Sequence, residues 1–124
     1  MQQKKLLPTV PAVIGNGLSD YRITFKSSYK NDVAFYAPID TLSVFSRRTH
    51  GILFYPDNEG SVSFITESGI HDDGYILDSE ENGITIKAGG NSGFQNGVIT
   101  LIQLLEKADD ESFTFPLGRI VDNP

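Results

Sequence analysis

Tyr75-Ile76-Leu77-Asp78-Ser79-Glu80-Glu81-Asn82-Gly83-Ile84-Thr85-Ile86-Lys87-Ala88 is the stretch on which the fold turns. Tyr75 to Leu77 and Ile84 to Lys87 have strand character and flank Asn82-Gly83, a strong signal for a tight hairpin. Ala88-Gly89-Gly90-Asn91-Ser92-Gly93 follows and leads into a helix. There Phe94, Val98, Leu101, Ile102 and Leu105 recur at i, i+4, i+7, i+8 and i+11, one apolar stripe. A hairpin followed at once by an amphipathic helix predicts a helix lying on an antiparallel sheet.

Upstream, Tyr21-Arg22-Ile23-Thr24-Phe25-Lys26 alternates and predicts a strand that buries Tyr21, Ile23 and Phe25. Thr9 to Ile14, interrupted by Pro11, reads as an edge or lead-in strand before the turn Gly15-Asn16-Gly17. Ser27 to Asn31 reads as polar loop. Asp32 to Thr49 predicts a first helix, capped by Asp32 or starting nearer Pro38, which is tolerated only in a first turn. Ile39, Leu42 and Phe45 would share its buried face, Arg47 and Arg48 suit its C-terminal dipole, and Gly51 can cap it. Ile52 to Tyr55 and Ser61 to Thr66 predict strands on either side of the turn Pro56-Asp57-Asn58-Glu59-Gly60. After the second helix, Asp109-Asp110-Glu111 reads as solvated loop. Phe113, Phe115 and Leu117 alternate in a last extended segment, and Ile120-Val121 continue to the terminus. The expected fold is an α+β two-layer domain, a mostly antiparallel sheet with two helices packed on one face.

The 124 residues fit one domain, 1–124, which buries roughly two-thirds of its unfolded surface. Absence of cysteine excludes disulfides, thiol catalysis and cysteine-ligated zinc. The formal net charge of −6 argues against nucleic acid and anionic membranes as partners. No apolar run approaches the roughly 20 residues of a membrane span. The start, Met1-Gln2-Gln3-Lys4-Lys5-Leu6-Leu7-Pro8, has no signal-peptide core.

Chemistry-bearing residues are sparse. His50 and His71 are the two histidines, and His71 beside Asp72 and Asp73 could serve acid–base work or a metal; surface or helix-end placement is the simpler reading. Asp72-Asp73 and Glu80-Glu81 are carboxylate pairs, but glycosidases set two carboxylates across a cleft rather than side by side. Asp57-Asn58-Glu59-Gly60 offers oxygen ligands without the spacing of a calcium loop. Gly89 to Gly97 joins a strand to a helix N-terminus, where a phosphate can bind, yet it holds neither Gly-Lys-Ser/Thr nor Gly-x-Gly-x-x-Gly. No serine sits in a nucleophile elbow, and no Asn-x-Ser/Thr glycosylation site occurs. No cofactor is expected.

Asp73-Gly74-Tyr75-Ile76-Leu77, Asn82-Gly83-Ile84-Thr85-Ile86-Lys87-Ala88 and Gly93-Phe94-Gln95-Asn96-Gly97-Val98-Ile99-Thr100-Leu101-Ile102-Gln103-Leu104-Leu105 follow one another, with Ile120-Val121-Asp122-Asn123-Pro124 near the end. This order resembles the N-terminal, non-catalytic domain of family 20 glycoside hydrolases, the β-N-acetylhexosaminidases. That domain carries a Tyr-x-Leu … Gly-Ile-x-Ile-x-Ala hairpin, then Gly-x-x-x-Gly-x-x-Thr-Leu-x-Gln-Leu, then Ile-x-Asp-x-Pro entering the catalytic barrel. The match covers residues 73–124; upstream only the strand–helix–strand pattern agrees, and Leu7-Pro8 is loosely similar to the family's opening. Asn96 departs from the pattern where the family often has an aromatic.

The resemblance implies structural or interdomain roles for Gly93, Gly97, Thr100, Leu101, Gln103, Leu104, Asp122 and Pro124. Gly97 would let the helix approach the sheet, and Gln103 would face the partner domain. It implies that catalysis, by an adjacent Asp–Glu pair and the substrate's own acetamido group, belongs to a barrel. A barrel needs at least about 200 residues, so it would follow Pro124, and no catalytic residue maps onto this chain. The expected function is that of an accessory domain that packs on and stabilises the barrel, its partner, without catalysis of its own. Glycans bearing N-acetylhexosamine would be met through the parent enzyme, secreted or periplasmic after loss of a signal. Two alternatives stand beside it. One is a free-standing carbohydrate-binding module using Tyr29, Tyr36, Tyr55 and Phe113. The other is a phosphate-binding domain through Gly89–Gly97.

Overall fold

The computed structural model describes residues 20–24, 26–31, 37–110 and 112–122. In chain order the elements are β1 (Asp20–Thr24), β2 (Lys26–Asn31), α1 (Ala37–His50), β3 (Leu53–Pro56), β4 (Val62–Thr66), β5 (Tyr75–Glu80), β6 (Gly83–Ala88), α2 (Asn91–Leu104), β7 (Glu106–Asp109), β8 (Ser112–Pro116) and β9 (Gly118–Asp122). Six strands form one sheet in the order β3-β2-β4-β6-β5-β9, and three form a second in the order β1-β8-β7. The two helices lie alongside each other over one face of the larger sheet, α1 against β3 and α2 against β5 and β6. This is the α+β arrangement that the alternation and helix periodicity predict.

The hairpin is where the sequence places it. Glu80 pairs with Gly83 and Tyr75 with Ala88, so Glu81 and Asn82 form the turn and Gly83 opens β6 with φ +152. Tyr75, Leu77, Ile84, Ile86 and Ala88 point inward and are buried. The stripe of α2 meets them, with Phe94, Val98, Leu101, Ile102 and Leu105 all in the core. Phe64 of β4 stacks edge-on against Phe94, with ring centroids 6.0 Å apart.

Among the described residues four of the seven strand pairings are antiparallel; β2–β3, β2–β4 and β4–β6 are parallel. The β2–β3 pair is parallel because α1 carries the chain from β2 back to β3 as a crossover helix, and β6 runs parallel to β4 because the chain returns between them through β5. Ser27–Asn31, expected as loop, belongs instead to a strand inside the sheet, Lys26–Asn31. Its polar residues are accommodated in pairs: Ser61 Oγ donates to the Ser28 carbonyl at 2.8 Å, and buried Ser27 donates to the Thr24 carbonyl at 3.0 Å. Asp109, expected to open a solvated loop, instead ends a strand, Glu106–Asp109. It pairs with β8, and Arg22 of β1 reaches across to both Asp109 (3.2 Å) and Ser112.

Helix α1 starts at Ala37 with Pro38 in its first turn, and Asp32 lies outside the described residues, as do Thr9–Ile14, Gly15–Gly17 and Phe25. Its buried face is Ile39, Leu42 and Ser46, not Ile39, Leu42 and Phe45. Two successive steps of three drift about 120° around a helix of 3.6 residues per turn, whereas a three and a four stay on one face. Ser46 fills the core position because its hydroxyl bonds back to the Leu42 carbonyl one turn earlier. Gly51 ends the helix at φ +73, its amide bonded to the Arg47 carbonyl at 3.0 Å.

Candidate functional site

The Gly-rich passage into α2 is filled by the chain itself. The segment 70–74 runs over it. A Cβ on Gly89 would stand 2.2 Å from the Ile70 carbonyl oxygen, and one on Gly93 would stand 2.1 Å from that of Gly74. The Gly93 amide, one of the free donors at the helix start, is taken by the Asp72 carbonyl at 2.9 Å. The Asp72 carboxylate lies beside Gly90. An anion arriving here would find a donor occupied and a negative charge already in place. The geometry gives no support to phosphate binding at Gly89–Gly97.

One turn further on, α2 touches the sheet almost backbone to side chain. A Cβ on Gly97 would lie 2.7 Å from Ile86 Cγ2 and 3.4 Å from the Tyr75 ring. That closeness puts the buried Thr100 hydroxyl 2.6 Å from the Tyr75 hydroxyl, a bond sealed within the core. Burial pushes the Tyr75 phenol above its ordinary value, the Thr100 bond works against it, and the charge of Asp122 adds to the rise. Asp122 closes β9 directly opposite Tyr75. Thus Gly93, Gly97, Thr100, Leu101 and Asp122 gather at one helix–sheet contact, while Leu104 is half-buried at the helix end and Gln103 is exposed. Pro124 lies outside the described residues.

The residues that could do chemistry are scattered. His50 closes α1, its ring edge-on to Phe113 with centroids 5.0 Å apart and Nδ1 2.6 Å from Thr49 Oγ1. Burial lowers its imidazole from the ordinary value, and a hydrogen bond to the Leu105 backbone opposes that. His71 Nδ1 accepts the Asp73 amide at 3.1 Å, within its own loop. Asp72-Asp73 precedes β5, Glu80 ends it and Glu81 follows, so the two carboxylate pairs sit at opposite ends of one strand. Asp57 Oδ1 accepts the Glu59 amide at 2.9 Å, a turn bond that uses the oxygen a cation would need. Among the described residues no three His, Asp or Glu side chains converge as a metal site.

Among the described residues the candidate sugar-stacking rings do not form a platform either. Tyr36 lies outside the described residues; of the other three, Phe113 is buried, Tyr29 packs partly against the core, and Tyr55 stands out, 50% exposed.

Two surfaces remain. The open face of the larger sheet carries Asp78, held by Arg119 at 2.6 and 3.2 Å and approached by Lys87 at 3.5 Å. Its charges answer one another, beside exposed Ile65 and Val121. The outer side of α1 is different: Val44 (39% exposed) and Phe45 (44% exposed) stand next to exposed Arg47 and Arg48. Aromatic side chains and arginine are the residue types enriched where proteins meet. Sequence periodicity hid this patch by assigning Phe45 to the core; the four-residue step to Ser46 was the signal that could have exposed it.

The sequence model of the family described as "Glycosyl hydrolase family 20, domain 2" matches residues 20–123. Among solved structures, the GH20 exo β-N-acetylglucosaminidase of Vibrio harveyi superposes with a TM-score of 0.87 at 22% identity, over 96% of this chain and 19% of that one. The GH20 β-N-acetylhexosaminidase of Streptomyces coelicolor A3(2) gives 0.76 at 30% identity, over 92% and 25%. The N-acetyl-β-hexosaminidase of Streptomyces plicatus gives 0.77 at 28% identity, over 96% and 26%. The chain thus spans about a fifth to a quarter of the length of these relatives. A comparison with curated protein sequences finds no match.

Proposed function

The chain belongs to glycosyl hydrolase family 20, as its domain 2, and from that premise we propose that it is the accessory N-terminal domain of a β-N-acetylhexosaminidase. In this reading the domain packs on a catalytic barrel that follows Pro124 and stabilises it. The parent enzyme removes terminal N-acetylhexosamine from glycans in a periplasmic or secreted setting. The chain alone performs no hydrolysis.

The observation that carries the reading is a family match along residues 20–123 combined with coverage of only 19–26% of the relatives. The scatter of His50, His71 and the carboxylate pairs supports assigning the chemistry elsewhere. The surface of α1 around Val44 and Phe45 supplies apolar area for packing, since burial of such side chains drives association.

The test is direct. The purified chain should release nothing from a chromogenic N-acetylglucosaminide, and the same chain continued along its natural reading frame should release the chromophore. Hydrolysis by residues 1–124 alone, or a stop codon after Pro124, would overturn the proposal. Fractionation of the source cells checks the compartment, with recovery in the cytosol as the contrary result.

A further inference from the structure

We propose that Asn82 is a site of spontaneous backbone-assisted deamidation. When glycine follows asparagine, no side chain shields the next peptide nitrogen. The Gly83 nitrogen can then attack Asn82 Cγ. A C–N bond forms, the Cγ–Nδ2 bond breaks, and ammonia leaves with the amide proton. Water afterwards opens the five-membered imide at either carbonyl, giving aspartate or isoaspartate. No oxidant or metal takes part.

The structure separates this site from its sequence relatives. Asn82 is exposed in the two-residue turn between β5 and β6, and Gly83 is the outermost residue of the ladder, where opening costs least. In Asn96-Gly97 the glycine is buried in α2 against Ile86 and Tyr75, and Asn96 Nδ2 is tied to the Asp73 carbonyl at 3.0 Å. In Asp73-Gly74, the aspartyl counterpart, the glycine is buried and its amide is bonded to the His71 carbonyl at 2.8 Å. Asn16-Gly17 lies outside the described residues. Conversion at Asn82 would add a negative charge next to Glu80 and Glu81. In the isoaspartyl form it would also lengthen the backbone in the turn that sets the β5–β6 register.

The experiment holds the folded chain in mildly alkaline buffer and follows it by peptide mass mapping. Parallel samples are the chain unfolded in urea and the Asn82→Gln variant, whose longer side chain closes the imide far more slowly. The Asn82 peptide should gain about one dalton and split into aspartyl and isoaspartyl forms. It should do so more than about tenfold faster than the Asn96 peptide in the folded chain, and the difference should shrink in urea. The extra acidic species on ion exchange should be missing from Asn82→Gln. An unchanged Asn82 in the folded chain, or conversion of Asn96 at an equal rate, would overturn the proposal.

Discussion

Helix α2 presses Gly93, Phe94, Gly97, Val98, Thr100, Leu101 and Ile102 into the core, whereas its neighbour α1 buries only Pro38, Ile39, Leu42 and Ser46. The first has no side-chain cap and no charge suited to its dipole in either end turn. The second has Asp40 in its first turn, Arg47, Arg48 and His50 in its last, and a left-handed glycine cap. Tertiary packing holds α2; local bonding does much of the work for α1. Helices of equal length on one sheet can therefore differ in what destabilises them, and in what they leave for a partner.

Substitutions should break the two helices unequally. Phe94→Ala should have the largest effect, about 3–5 kcal/mol by urea unfolding, because the ring is fully buried against Phe64. Thr100→Val should cost about 1–3 kcal/mol by stranding the buried Tyr75 hydroxyl. Adding Tyr75→Phe should recover part of that loss, and a purely additive cycle would show that the hydroxyl pair is not coupled. On α1, Gly51→Ala should cost about 1 kcal/mol, since φ is +73 while open space surrounds the added methyl. Phe45→Ser should shift the isolated domain by no more than about 0.5 kcal/mol. In the full-length parent the same change should lower the unfolding temperature. Equal effects in both would place Phe45 outside the interdomain contact.

His50 supplies the weakest lever. Its imidazole is lowered in the folded chain, so the unfolded chain binds the proton more readily. Stability should rise with pH through the window just below the ordinary imidazole value of about 6.5, and should be fully gained above it. His50→Gln should flatten that slope in urea melts taken across the window. A slope unchanged by the substitution would assign it to other groups.

Legibility followed the same division. The β5–β6 hairpin and α2 could be read because each residue's preference agrees with its place: an Asn-Gly next to the turn, strict alternation, and a stripe at 3.6. The first half resisted. Nothing in Lys26-Ser27-Ser28-Tyr29-Lys30-Asn31 announces a strand, since its stability comes from Ser28 and Ser61 lacing two strands together, a contact between distant residues. Parallel pairing of β2, β4 and β6 leaves no turn signature. On α1, a serine in the core and a phenylalanine in solvent reverse the usual pattern, and only the helix phase separates them. The family resemblance rested on residues 73–124, which include the β5–β6 hairpin and α2. Gly93 and Gly97 lie where α2 comes closest to its neighbours, and Thr100 is buried against Tyr75. The apolar patch of α1 could not be read, because exposure is decided by neighbours far away in the chain.

The smaller sheet carries one more consequence, for the order of events during synthesis. β1 pairs with β8 from Asp20 opposite Pro116 to Thr24 opposite Ser112, so among the described residues the first strand has its one sheet neighbour near the far end of the chain. Emerging from a ribosome, it must wait until nearly the whole domain has been made. Loop closure over such a span is slow and is rewarded only when the last strands arrive. The β5–β6 hairpin, closed by two residues, can form long before that. Ile23, which ends inside the common core, stays in water until β8 appears. The domain is thus expected to close from its C-terminal half backwards, with β1 among the last of the described strands to find shelter.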